Sequence, residues 1–460
     1  MNIEHIVILT YILIIFLIAF LSRPKNQSSE EIFLAGKSLS IPESIFSIIA
    51  TEVSALTFIG IPAFSFGLDF RFIYVYVGAI FGRYIIARYL IPKYYGEGLT
   101  VYSIAFKNKS AQKKLATSIY LISKTLSIGV RLYSGSILIS AYFNLHIITA
   151  IVLLSFLTYL YTQIGGLKTV VRTDILQTLI FIGGGISAHI LIPDIANQKW
   201  MDMILVGLKD NKIITFDISY LPIILTGIFG GALFDIASHG VDQDFAQRLL
   251  ANKSKKGAQV SILFSSFFSI AIGLLFLSIG TLLYSYHQEV EFIGKTDFVF
   301  SNFIINNFPP LLKGFMLAGV LAATMSTLDS TINAVNSCLH SDFSIKISKK
   351  VSGFFSMIGL LIVAIFATQS SGLLTVGLKV ASWSSGFLLA IIYLALFKEK
   401  FFNPRLMAIA YFINLISIYG VSEIFGLTWH WFTYVGSAIT FVLALIFERL
   451  KKSKSNLTFS

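Results

Sequence analysis

Thirteen segments of this 460-residue chain are apolar for long enough to cross a bilayer, and no other feature restricts the fold as tightly. They run over 4–22, 42–66, 70–94, 114–143, 146–163, 172–192, 218–240, 258–286, 312–340, 353–369, 372–397, 404–424 and 430–448. A helix needs about 20 apolar residues to cross the hydrocarbon layer, and the longer segments imply tilt. Inside lipid the backbone must satisfy its own N–H and C=O groups, which these lengths do as helices. Composition agrees: 55% of the residues are hydrophobic and 13% are charged. That charge is about half of what a soluble domain carries, so the outer surface faces lipid rather than water. The longest gaps, near 193–217 and 287–311, read as loops or short surface helices. The expected class is an all-α polytopic membrane protein.

The formal net charge of +12 does not describe a nucleic-acid surface, because the basic residues lie in the connections between apolar runs. Sorting the 35 Lys and Arg by loop puts 24 on one side and 6 on the other. The larger group includes Lys25, Arg248, Lys253, Lys255, Lys256 and Lys346. Five more fall within spans: Arg83, Arg88, Lys124, Arg131 and Lys379. Positive charge collects on the cytoplasmic side, so the N-terminus is expected outside and the C-terminus inside. The 4–22 segment has no Lys or Arg before it and no small-x-small cleavage site after it, and reads as a retained span. The single cysteine, Cys338, excludes a disulfide framework, and the histidines show no metal-ligand spacing. No nucleophile or metal set suggests an enzyme. The expected location is the cell (inner) membrane, multi-pass and in contact with membrane lipid, with no nucleic acid and no obligate protein partner evident.

Polar groups within spans are costly and mark function. The second span, SIIATEVSALTFIGIPAFSFG, places Thr51, Glu52, Ser54 and Thr57 beside Gly60, Pro62 and Gly67. Such a stretch suits a helix that breaks in the bilayer and frees carbonyls for a cation, or else a kinked packing helix. In the ninth span Ala323, Ser326, Thr327 and Ser330 share one helical face, with Asp329 beside it. Their oxygens suit a small hard cation; small-residue packing accounts for the serines but not for the aspartate. Asp174 lies about a turn inside the sixth span. In the fourth, Lys124 and Arg131 are seven residues apart and share a face. A mid-membrane arginine needs an anion, either from the solute or from a carboxylate such as Glu52. Lys379 has the choice of an aspartate or of snorkelling. Asp235, His239, Asp242 and Gln243 cluster near the inner end of the seventh span, as an inner gate or as a polar helix end.

Six collinear motifs carry a resemblance over almost the whole chain: FLAGKSLS, ATEVSALTFIGIP, IPKYYGEGLTVYSIAFK, GGLKTVVRTDILQ, VDQDFAQRLL and MSTLDSTINAVNSCLHSDF. Together they resemble the sodium:solute symporter family, which includes sodium/glucose, sodium/proline and sodium/sialic acid cotransporters. The resemblance implies a LeuT-type core of two five-helix inverted repeats, 42–192 and 218–397. These follow a first helix and linker (1–41), are separated by an extracellular loop (193–217) and precede two C-terminal helices with a basic tail (398–460).

The resemblance also implies sodium ligands: Ala50 and Val53 at the break, with Ala323, Ser326 and Thr327 on the ninth span. A second sodium position would draw on Asp174, Ser326, Asp329 and Ser330, where Asp329 departs from the serine of the sialic acid type. Substrate contacts would come from Glu52, Ser54, Thr57, Arg131, Asp242 and Gln243. Arg131 matches the arginine that holds a substrate carboxylate, whereas Asp242 stands where the sugar type has asparagine. The implied activity is sodium-coupled import of a small polar organic solute by alternating access, such as sialic acid or a monocarboxylate. A sodium/sugar symporter, a proton-coupled transporter using Glu52, Asp174 and Asp329, and a non-transporting sensor are the alternatives. A sensor would append a signalling domain, where this sequence has a short basic tail after Phe447.

Overall fold

The computed structural model describes residues 2–24, 28–213, 218–345, 349–368, 372–400 and 402–457. Lys25, Lys346 and the expected end of the tenth apolar segment at 369 lie outside the described residues. The described residues form helices and no strand, apart from one isolated bridge between Leu39 and Asn252.

In chain order the helices are α1 (Ile3–Leu21), α2 (Ser29–Leu34), α3 (Ile41–Glu52), α4 (Ile61–Gly67), α5 (Ile73–Ile85), α6 (Val101–Ala105) and α7 (Ser110–Phe143). They continue with α8 (Ile147–Thr162), α9 (Leu167–Ala196), α10 (Trp200–Lys209), α11 (Leu221–Gly240), α12 (Gln243–Leu250) and α13 (Lys255–Tyr286). The remainder are α14 (Val299–Asn307), α15 (Pro310–Ser341), α16 (Lys349–Ala367), α17 (Leu373–Trp383), α18 (Ser385–Lys398), α19 (Pro404–Phe425) and α20 (Phe432–Leu457). Among the described residues ten helices are long and apolar enough to cross a membrane, or eleven with the bent pair Ile41–Glu52 and Leu56–Gly67. Ile147–Thr162 and Ser356–Ile365 are shorter apolar helices. The two long gaps hold short helices, α10 and α14, as the sequence suggests.

Two helices break where the sequence supplies the means. α3 starts at Ile41, with Pro42 in its first turn behind a capping box, where Ser40 N–H donates to Glu43 Oε2 at 2.8 Å. It stops at Val53, whose extended backbone (φ −76°, ψ 115°) ends the helical ladder. After a wide π turn at Leu56–Gly60 the chain resumes as α4, bent by 62°. Phe58 in that turn is fully buried against Phe181, Phe276 and Phe300, with ring centroids 5.5, 5.4 and 5.3 Å away. This aromatic knot pins the turn to α9, α13 and α14. The second break falls at Val241 and Asp242, between α11 and α12, where Asp242 is extended (φ −74°, ψ 127°).

The packing exchanges partners between the two halves. α3 and α4 pack on α13, while α11 packs on α5. α9 packs on α15, while α17 packs on α7; α8 packs on α15, while α16 packs on α7. The α5–α11 contact is the closest, because glycines bring the backbones together. A Cβ on Gly78 would lie 2.2 Å from Ile228 O, and one on Gly231 would lie 2.4 Å from Val75 O.

Candidate functional site

The break after α3 leaves carbonyls that the helix no longer uses. The last ladder bond runs from Val53 N–H to Ile49 O at 2.8 Å. Ser54 and Thr57 cap the break locally: Ser54 Oγ accepts from Leu56 N–H at 3.2 Å, and Thr57 Oγ1 accepts from Ser54 N–H at 3.3 Å. The carbonyls of Ala50 and Thr51 turn to side chains instead. Ser326 Oγ donates to Ala50 O at 2.9 Å, and Arg131 Nη1 donates to Thr51 O at 3.5 Å.

α15 completes the first oxygen cluster. Thr327 Oγ1 donates to Ala323 O at 3.0 Å, and Ser326 Oγ lies 3.2 Å from the same carbonyl. Ala50, Ala323, Ser326 and Thr327 are all buried, and Val53 is buried at the break itself. Four of the five expected sodium ligands therefore meet in one knot of hard oxygens, which suits a small monovalent cation. That knot joins the break to α15.

The second set is drawn together by a residue the sequence reading placed elsewhere. The position of Arg248 among basic connections predicts an inner-loop charge, but it is fully buried on α12. Its Nη2 donates to Ser330 Oγ at 2.5 Å and to Asp174 Oδ2 at 3.3 Å, and its Nε donates to Ser47 Oγ at 2.7 Å. Ser47 Oγ donates in turn to Asp174 Oδ2 at 2.5 Å. Asp329 Oδ2 accepts from the Tyr161 hydroxyl. Loop sorting treats each arginine as solvated, so only the VDQDFAQRLL motif marked this one.

Glu52, one of the anions open to Arg131 in the sequence, pairs elsewhere. Glu52 Oε2 accepts from Arg83 Nη2 at 2.7 Å and from Ser269 Oγ at 2.6 Å. Arg83 is fully buried; its Nε reaches Asp235 Oδ1 at 3.4 Å and its Nη1 reaches Ser265 and Ser269 at 2.8 and 3.1 Å. A second buried cation, Lys124, lies 2.8 Å from Asp242 Oδ2 and 2.6 Å from Asp244 Oδ2. The expected inner-end cluster of Asp235, His239 and Asp242 is thus divided between two basic side chains. Lys379 finds Glu423 Oε1 at 4.0 Å, and both side chains are largely exposed.

Arg131 differs from these cations. Among the described residues no carboxylate lies within ion-pair distance of it, and its buried Nε has no hydrogen-bond partner. It lines a cavity of about 160 Å³ together with Glu52, Ser54, Thr57, Lys124 and Asp242. Gln243 does not line that cavity, contrary to expectation. Its Oε1 accepts from Val101 N–H at 3.0 Å and its Nε2 donates to Leu99 O at 2.9 Å, so it holds the segment before α6 in place. A second hollow of about 590 Å³ borders Arg71, Lys379 and Trp429. Phe72, Leu374 and Leu378 line both spaces and form the apolar wall they share.

The sodium:solute symporter family model matches residues 32–408. The sodium/sialic acid symporter of Proteus mirabilis is 22% identical over 360 residues, covering 75% of this chain and 72% of its own. Sodium-coupled monocarboxylate transporter 2 of Mus musculus is 24% identical over 333 residues, covering 69% of this chain and 54% of its own. A solved structure of a sodium-coupled sialic acid symporter, substrate-bound and outward-open, matches with a TM-score of 0.85 at 20% identity over 98% of each chain.

Proposed function

We propose that this chain, which belongs to the sodium:solute symporter family, imports a small carboxylate-bearing solute with sodium by alternating access. It is a sodium-coupled, multi-pass membrane transporter rather than an enzyme, and it has the fold of the sialic acid symporter. The single observation that carries the solute class is Arg131. It is a cavity-lining guanidinium at the helix break that, among the described residues, pairs with no carboxylate and has an unused buried donor. A planar guanidinium matches a carboxylate in two parallel bonds, which makes an organic acid such as sialic acid or a monocarboxylate the fitting solute. A neutral sugar has less support, because Asp242 is engaged by Lys124.

Sodium would bind the carbonyls of Ala50, Val53 and Ala323 and the hydroxyls of Ser326 and Thr327, replacing the Ser326 to Ala50 bond. It would then tie the broken helix to α15 in the outward-open state, and its release inward would let the two separate. At the second set Arg248 already stands between Asp174 and Ser330, and a sodium using Asp174, Ser326, Asp329 and Ser330 would displace it. One sodium per cycle is the resulting ratio. The exchanged packing of 42–192 and 218–397 supports two inverted five-helix repeats. The loop charges support thirteen crossings of the cell (inner) membrane, with the N-terminus outside and the C-terminus cytoplasmic.

The test is thermal stabilisation of the purified protein by N-acetylneuraminate, pyruvate, glucose and proline, with and without sodium. An acid should stabilise only when sodium is present, with a sodium Hill coefficient of about 1 for a single-site ligand. Stabilisation by glucose alone of the four would overturn the carboxylate assignment, and stabilisation indifferent to sodium would overturn the coupling.

A further inference from the structure

We propose that the wall of the solute cavity carries a proton site at His239, so that solute binding is linked to uptake of one proton. The linkage rests on the carboxylate-solute reading above; the proton site itself does not.

His239 lies in the last turn of α11, just before the second break, and lines the cavity together with Glu52. Its Nδ1 is 3.0 Å from Asp235 Oδ1 and 3.0 Å from Ser238 Oγ. Its Nε2 is 3.2 Å from Arg83 Nη2 and 3.7 Å from Glu52 Oε2. A guanidinium can only donate, so Nε2 facing it presents a lone pair and the ring proton sits on Nδ1, toward Asp235. The imidazole in this arrangement is neutral.

The surrounding charges leave room for one more proton. Facing the ring are Glu52 from α3, Arg83 from α5 and Asp235 from its own helix. α13 contributes only the hydroxyls of Ser265 and Ser269, which Arg83 uses. From α12, Phe245 packs on the ring at 4.0 Å between centroids; Lys124 sits 5.6 Å from the Phe245 ring centre and holds Asp242 and Asp244. Two carboxylates against one guanidinium leave the His239 cluster one positive charge short. The Lys124 group adds two carboxylates and one cation and Arg131 adds a third cation, so four carboxylates against three cations still leave these groups one positive charge short. A proton on Nε2 supplies the missing charge. The new N–H cannot face Arg83 and turns to Glu52 Oε2, closing the present gap by about 1 Å to the length of a charge-assisted bond. Glu52, held until then by Arg83 and Ser269, then comes to be shared with His239 as well.

The consequence reaches the solute. A protonated His239 removes one net negative charge from the wall of a cavity whose anchor is Arg131, so an anionic solute meets less repulsion there. Linkage is reciprocal: a bound carboxylate raises the proton affinity of His239 by the factor that the proton raises solute affinity. Imidazole is the side chain whose ordinary titration falls in the physiological range, and the cavity gives the proton its route.

The experiment measures affinity for N-acetylneuraminate and for pyruvate across about pH 8 to 6 at saturating sodium, in wild type and in His239→Gln. In wild type the affinity should strengthen, approaching tenfold per pH unit, roughly the limit for one linked proton. In His239→Gln the profile should be flat. A flat wild-type profile, or equal slopes in both proteins, overturns the linkage. Modification of His239 by diethyl pyrocarbonate, read by mass spectrometry on sodium-loaded protein without solute, reports the site directly. Reactivity should follow a single titration over about pH 5 to 8, and its absence overturns the site. If neither acid binds at any pH, the carboxylate reading fails and takes the linkage with it, and the modification profile still decides whether the proton site exists.

Discussion

Replacing Arg131 with methionine should raise the stability of the solute-free protein and nearly abolish solute binding. The two effects have opposite signs for one reason. Among the described residues of the free protein, Arg131 makes one long bond, to Thr51 O at 3.5 Å, and leaves its buried Nε unpaired. A buried donor without an acceptor costs about 1–3 kcal/mol, and methionine fills similar volume without that cost. The midpoint of thermal unfolding in detergent should therefore rise, by the equivalent of about 1 kcal/mol or more. Binding loses a two-bond carboxylate clamp worth about 3–4 kcal/mol, a weakening of several hundredfold. Arg131→Lys keeps the charge but loses the fork, and should fall between the two. The assays are unfolding midpoints without solute and calorimetric titration with the solute that the stabilisation screen selects. An Arg131→Met protein that unfolds well below wild type would mean that an internal carboxylate holds this arginine. Binding within about threefold of wild type, or less than 1 kcal/mol, would remove it from the solute site.

Ser326→Ala and Thr327→Ala should each eliminate sodium-dependent uptake in proteoliposomes while leaving the protein folded by size-exclusion profile; unchanged uptake in both would remove sodium from this position. Gln243→Leu should cost about 2–4 kcal/mol of stability, because the Val101 N–H and the Leu99 carbonyl lose their partner. Its solute affinity should stay near that of wild type, and a selective loss of affinity would restore Gln243 to the solute site. Gly78→Ala should destabilise by about 1–3 kcal/mol or more, since its Cβ would sit 2.2 Å from Ile228 O in the α5–α11 contact. An unchanged unfolding midpoint would show that the two helices can part without cost.

The helices were legible because hydrophobicity is a sum over about 20 residues and tolerates local error. The break after α3 was legible for a different reason: the small hydroxyl residues Thr51, Ser54 and Thr57 beside Gly60, Pro62 and Gly67 disfavour one continuous helix. Helical spacing places Ala323, Ser326 and Thr327 on one face wherever α15 lies, whereas Ala50 and Val53 as their partners came from the family resemblance. Ion pairing was the part that periodicity could not supply. Arg83 lies on α5, and its partners Glu52, Asp235 and Ser269 lie on three other elements. Which carboxylate meets which cation depends on how close α5 and α11 come, and the glycines decide that distance. Arg248 escaped for the same reason: a position within a charged stretch says nothing of burial, whereas docking of α12 against α3 and α15 removes it from water. The apportioning of charge was thus the part least visible in the sequence.

The break after α3 also explains why an ion and a solute should depend on each other here. Two consecutive carbonyls leave the helix ladder at the same point: that of Ala50 turns to Ser326, in the proposed sodium site, and that of Thr51 turns to Arg131, the proposed solute anchor. They belong to neighbouring peptide units that share Thr51, so neither can rotate without displacing the other. Sodium drawn to the Ala50 carbonyl would set the angle at which the Thr51 carbonyl meets Arg131, and a solute carboxylate that draws Arg131 away would free the Thr51 carbonyl to move. Coupling by this route requires no rearrangement beyond the break. It predicts that the dependence of solute affinity on sodium vanishes in Arg131→Met, even where weak binding persists. A sodium dependence of wild-type size in that variant would show that the ion acts on the solute through some other contact.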